Sequence, residues 1–145
     1  MTPAPLVSVD SHPGVMSAAV LHQFKRVDQA ELPRGLDLVQ LKQEVPFQVT
    51  PLTAPHMRFI TAWTTELQGE PAAAIAYRCH DRLVVQYIIS EAHFFRPARV
   101  RQAIAEQGVY AVTEGNVSTV AWADQDSGSF LVGEFSASEL AAMRL

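Results

Sequence analysis

The spacing of apolar residues divides the chain into helical and alternating stretches. In "VMSAAVLHQFKRVDQAEL", Val15, Ala18, Ala19, Leu21, His22 and Val27 recur at roughly helical intervals. Ser11, just before Pro13, suits a helix cap with proline in the first turn, and Pro33 with Gly35 stops the helix. "GLDLVQLKQEV" predicts a second, shorter helix with Asp37 near its N-terminus and Leu38, Val39 and Leu41 inward. Pro46, Pro51 and Pro55 make "PFQVTPLTAP" an extended connector.

From Met57 the period becomes two. "MRFITAWTTEL" sets Phe59, Thr61, Trp63 and Thr65 against Ile60, Ala62 and Thr64, in β-branched and aromatic company that favours a strand. "QGEP" is a turn, followed by the strands "AAAIAYRC" and "RLVVQYIIS". Only His80 and Asp81 separate these two, which is hairpin spacing. "RPARVRQAIAEQG" returns to helical spacing, with Val100 and Ile104 inward and Gly108 as its C-cap. "VYAVTEG", "NVSTVAWAD" and "SFLVGEF" are three more strands. Ser136 and Glu139 have the spacing of a capping box, opening a last helix with Leu140 and Met143 inward.

Strands in meander order, with helices before, between and after, predict an α+β domain. The expected sheet is largely antiparallel, with five or six strands and helices packed mainly on one face. Residues 1–14, with Pro3, Pro5, Pro13 and Gly14, predict a flexible lead-in, and residues 15–145 a single domain.

Charge narrows the partners. The net charge of −4 and pI of about 5.7 predict no non-specific attraction to nucleic acid or to an anionic membrane. The densest basic stretch, Arg96, Arg99 and Arg101, is short and lacks the interleaved aromatics of a single-strand binder. One cysteine excludes an internal disulfide framework. The N-terminus lacks the basic and apolar regions of a secretory signal. A complete chain would then be cytoplasmic, and a piece of a longer protein could come from elsewhere.

That cysteine, Cys79, stands beside His80, which raises the question of a catalytic dyad or a metal pair. Neighbours on a strand point to opposite faces, so the two side chains are expected to diverge and fill ordinary structural roles. No two of His12, His22, His56, His80 and His93 form an HxH or HxxxH pair. A metal sensor built from Cys79, His80 and His93 is the weakest of the readings. Asp124 and Asp126 in "ADQDSG" start like a calcium loop but lack the later acidic ligand, and read as a hairpin turn. Glu66, Glu70 and Asp81 read as solvated charges at strand ends. The sequence contains no GxSxG elbow, HExxH, P-loop or GxGxxG motif. The expectation is therefore no enzyme, no cofactor and no metal. "EAHFFRP" carries the adjacent Phe94 and Phe95 beside Arg96, which are expected to bind a protein partner or a second copy of the chain.

"LQGEPAAAIAYRCHDRLVVQYII" resembles the stretch "GGRPAAALVYR…H…I.LFV" of the extracytoplasmic domain of transmembrane anti-sigma factors. "GVYAVTEGNVSTVAWADQDSGSFLVGEFSASEL" is similar to that family's "GYNV..W..G.L.Y..VSDLS..EL" ending, and "VMSAAVLHQFKRV" to the helix after its membrane span. The likeness runs from about Val15 to Met143. "QGE" stands here for the family's "GGR", and the zinc-bearing half that binds the sigma factor has no counterpart in this sequence. The resemblance implies a sensing or docking role, periplasmic if the chain is cut from a membrane-anchored parent. The resulting expectation is a non-enzymatic regulatory domain that acts by protein or ligand binding. The alternative is a small cytoplasmic enzyme or ligand-binding protein with its site between sheet and helices.

Overall fold

The structure, a computed structural model, describes residues 16–27, 35–54, 56–90, 108–124 and 127–143. Two helices, α1 (Met16–Lys25) and α2 (Leu38–Glu44), precede six strands: β1 (Met57–Leu67), β2 (Glu70–Cys79), β3 (Arg82–Ser90), β4 (Tyr110–Glu114), β5 (Val117–Asp124) and β6 (Ser127–Gly133). A last helix, α3 (Ala137–Met143), follows them. The strands form one sheet in the order β1-β2-β3-β6-β5-β4, and every neighbouring pair is antiparallel. Two three-stranded meanders thus meet where β3 pairs with β6. This is the expected α+β fold. Of the helix predicted over residues 96–108, only Gly108 is among the described residues, and it holds a φ of 82°.

Residues directly opposite in a ladder share a face. Ala72, Ala74 and Ala76 on β2, Val85, Tyr87 and Ile89 on β3, and Phe130 and Val132 on β6 line the first face and bury Val20 and Phe24 of α1. The second face carries Ala73, Ile75 and Tyr77 with Ile88, and further along Val84, Val120, Trp122 and Leu131. Leu41 of α2, Phe47 and Val49 pack on its β2 side, and Leu140 of α3 on its β5–β6 side.

Among the described residues the helices are therefore divided between the faces rather than gathered on one. The physical reason is the composition of the central strands. Ala72–Tyr77, Leu83–Ile89 and all of β6 are buried without a break, so both sides need cover.

One turn of α1 reaches both edges of the sheet. Gln23 Nε2 donates to the main-chain oxygen of Glu66 on β1 at 2.9 Å, and Lys25 Nζ pairs with Glu114 on β4 at 2.7 Å. The ion pair is half exposed and contributes little stability by itself. α2 opens on a capping box, in which Gln40 N donates to Asp37 Oδ1 at 2.8 Å and Asp37 N to Gln40 Oε1 at 3.0 Å. α3 repeats the device. Glu139 N donates to the Ser136 hydroxyl at 3.1 Å and Ser136 N to the Glu139 carboxylate at 2.9 Å. These bonds hold the Glu139 carboxyl below its usual range.

Two side-chain expectations are corrected. A bulge between Phe59 and Thr61 sets Phe59 opposite Tyr77 and Thr61 opposite Ala76. Phe59 thus lies on the second face, whereas Ile60 packs with the first-face core. On α2, Val39 is 66% exposed, because Leu41 alone of that helix is fully buried against the sheet.

Candidate functional site

Cys79 and His80 are not assembled into a pair. Cys79 is 2% exposed and packs in the cluster with Val84, Val120 and Leu131. Burial, and secondarily the charge of Glu139, pushes its thiol pKa up, the opposite of what a nucleophile needs. His80 is exposed in the hairpin turn, its ring 5.1 Å from that of His56. Phe94, Phe95 and Arg96, together with His93 and Asp126, lie outside the described residues. Among the described residues no three His, Cys, Asp or Glu side chains group as metal ligands. Among them, too, no helix is long and apolar enough to cross a membrane.

A groove of about 620 Å³ runs between α1 and the C-terminal half of β1. Its helix side presents Ala19, His22, Gln23, Arg26 and Val27, and its strand side Trp63, Thr65, Glu66, Leu67 and Gln68. The local sequence explains both walls. The buried stripe of α1 is Val20 and Phe24, four residues apart, which turns His22 and Arg26 out to solvent. On β1, Trp63, Thr65 and Leu67 alternate onto the face under the helix. Leu67 is buried, and Trp63 is half-buried against the first-face core.

The groove runs beside a protected strand edge. β1 is an edge strand, and such edges invite pairing with another chain. Here Leu36 N donates to Ala62 O at 2.6 Å in an isolated bridge, and Gln23 takes Glu66 O. Ala62 and Glu66 therefore turn their main-chain groups outward, and so does Thr64 between them. Only Thr64 is left between two occupied positions, too little for an added strand. The groove walls instead present side chains. His22, Arg26 and Glu66 supply charge or hydrogen bonds, and Trp63 with Val27 supplies apolar contact. No hydrogen bond or ion pair links the His22, Arg26 and Glu66 side chains to one another.

A smaller cleft of about 320 Å³ lies at the other end of β1, lined by His56, Met57, Arg58, Arg78, His80 and Asp81. The two-residue turn that builds it has positive φ at both positions, 50° at His80 and 64° at Asp81. These are the angles of a type I′ hairpin, for which Asn-Gly is the usual sequence.

The second face also encloses a polar network. Tyr77 Oη donates to Gln86 Oε1 at 3.0 Å and accepts from Leu52 N at 2.9 Å. Gln86 Nε2 donates to Thr50 O at 3.1 Å and to Ser129 Oγ at 3.2 Å. The network pins the proline-rich connector to the sheet. Burial pushes the Tyr77 pKa up to about 12. On the first face, the buried Tyr87 hydroxyl and Thr119 Oγ1 have no hydrogen-bond partner among the described residues, and burial raises the Tyr87 pKa as well.

No protein-family model, curated protein or solved structure matches this chain. Sequence reasoning missed the groove. Its one available signal was His22, a polar residue counted among the apolar positions of α1 and in fact exposed.

Proposed function

We propose that this domain is a non-enzymatic regulatory docking module and that the α1–β1 groove takes a segment of a protein partner. The observation that carries the reading is the placement of half-buried Trp63 in an open groove flanked by His22, Arg26 and Glu66. Aromatic and arginine side chains at the centre of a concave surface are the residue types that dominate protein interfaces. The bond from Gln23 to Glu66 O holds the walls at a set separation before anything binds, which lowers the entropic cost of association. The likeness of the strand-and-turn stretches to the outer domain of anti-sigma factors supports a regulatory setting, in which occupancy is read by another part of the system.

The test places a photo-crosslinking amino acid at Thr65, inside the groove, and separately at Glu44, on α2 over the other face. The reading predicts one discrete protein adduct from position 65 and none from position 44. The adduct should disappear when Arg26→Glu is added, because that change reverses the charge of one wall. Equal labelling from both positions, or an adduct indifferent to Arg26→Glu, would sink it.

A further inference from the structure

Arg58 and Arg78 are directly opposite each other in the β1–β2 ladder. Side chains so placed have Cβ atoms about 4.5–5.5 Å apart, and like charges there repel. No ion pair among the described residues relieves them. The ion pair there joins Lys25 to Glu114, and Arg78 makes only a long 3.5 Å hydrogen bond to the main-chain oxygen of Asp81. Arg82, the next cation along, is engaged elsewhere. It donates to Glu134 O at 2.8 Å and lies 5.1 Å above the Phe135 ring.

The same cleft gathers two imidazoles. His56 and His80 stand 5.1 Å apart with their rings tilted by 35°. His80 reaches that position from a turn in which it and Asp81 both hold positive φ, a conformation that costs side-chain-bearing residues about 1–3 kcal/mol each and tends to mark functional sites. Three features thus converge on one concave place: opposed guanidiniums with no ion-pair partner among the described residues, two neighbouring imidazoles and a turn at positive φ. With Arg58 and Arg78 against Asp81, the cleft carries two positive charges and one negative, a net +1 before either imidazole is protonated.

We propose that this cleft is a binding site for a phosphoryl group, held between the Arg58 and Arg78 guanidiniums with His56 and His80 as further hydrogen-bond donors. A tetrahedral dianion placed between the two arginines converts their mutual repulsion into attraction to a common partner. The planar guanidinium fork also matches phosphate oxygens in pairs. Asp81 on the cleft wall repels any anion, and the two guanidiniums outweigh it to leave the net attraction. The site lies at the opposite end of β1 from the groove and does not depend on the docking function of that groove.

The experiment follows the imidazole proton resonances of the whole chain by NMR during titration with inorganic phosphate at constant ionic strength. His56 and His80 are assigned by His56→Gln and His80→Gln. Saturable shifts of both, with His22 still, are expected. Arg58→Gln and Arg78→Gln should each weaken binding by roughly tenfold, about 1.4 kcal/mol. The double variant should lose binding while its melting temperature holds or rises, since the like-charge contact is gone. Lys42→Gln, on α2, controls for net charge and should bind as the parent does. A parallel titration with O-phosphoserine separates the sources of the group. Tighter binding than phosphate upholds the site as one for a phosphorylated chain, and equal binding upholds it as one for free phosphate. The proposal is overturned if phosphate causes no saturable shift, or if the Arg58→Gln, Arg78→Gln double variant responds as Lys42→Gln does.

Discussion

Tyr77 donates its phenolic proton to Gln86 across β2 and β3, Oη to Oε1 at 3.0 Å, inside the second face of the sheet. The same oxygen receives Leu52 N–H from the connector, so one hydroxyl joins two strands to a segment without regular structure. Tyr77→Phe removes the donor and the acceptor together and leaves two polar groups unpaired. The expected cost is about 1–3 kcal/mol. At roughly 2–4 °C per kcal/mol for a chain of this size, differential scanning calorimetry should show a clear fall in melting temperature.

The same tyrosine sets a pH limit. Burial raises its pKa from 10.0 to about 12, partly offset by the Leu52 N–H. A group whose pKa is raised in the folded state contributes stability that is fully present below its unfolded pKa and is lost as pH rises through the folded one. Urea unfolding should therefore show stability level up to about pH 10 and falling between about pH 10 and 12, with Tyr87 adding to the loss. Tyr77→Phe, weaker at neutral pH, should lose stability less steeply in that window. An unchanged slope would show that Tyr77 does not carry the effect.

The hairpin turn offers the opposite change. Replacing His80-Asp81 by Asn-Gly puts the residues preferred at type I′ angles where His80 and Asp81 now hold φ of 50° and 64°. The variant should gain about 1 kcal/mol, seen as a melting temperature higher by roughly 2–4 °C. A lower melting temperature would mean that the turn is not strained.

Gly35 guards the edge of β1. A side chain there would collide with the Thr61 hydroxyl and the main chain of Ala62, where Leu36 is bonded. Gly35→Ala should cost about 1–3 kcal/mol and displace the Leu36 bridge. That frees Ala62 beside Thr64 and opens an edge for pairing. Sedimentation should then show concentration-dependent association greater than that of the parent chain. Parent-like sedimentation with a lowered melting temperature would leave the edge-guarding role unsupported.

Much of this architecture could be read along the chain. The change of period at Met57 marks β1, the two residues between Cys79 and Arg82 mark the hairpin, and Ser136 with Glu139 marks the start of α3. Other features depend on pairings that no local pattern reveals. The bulge at Ile60 follows another apolar residue, Phe59, and no local pattern marks the slip. The two-sided burial of β2 and β3 was present in their apolar runs, interrupted only by Gln86 between Leu83 and Ile89, which predict cover on both faces rather than one. The opposition of Arg58 to Arg78 needs the register of β1 on β2, and the groove needs the path of α1 over the sheet. Charge in the sequence is a net quantity, and the basic cleft is a local one inside a chain of net −4.

The central claim is that the α1–β1 groove is where this domain meets its partner. The direct measurement is isothermal titration of the protein identified by the crosslink at position 65 against the parent chain, Trp63→Ala and Arg26→Glu. The account predicts an affinity at least about tenfold weaker for each variant, near 1.4 kcal/mol, with Arg26→Glu keeping the parent melting temperature. Parent affinity in a well-folded Arg26→Glu and in Trp63→Ala would contradict it.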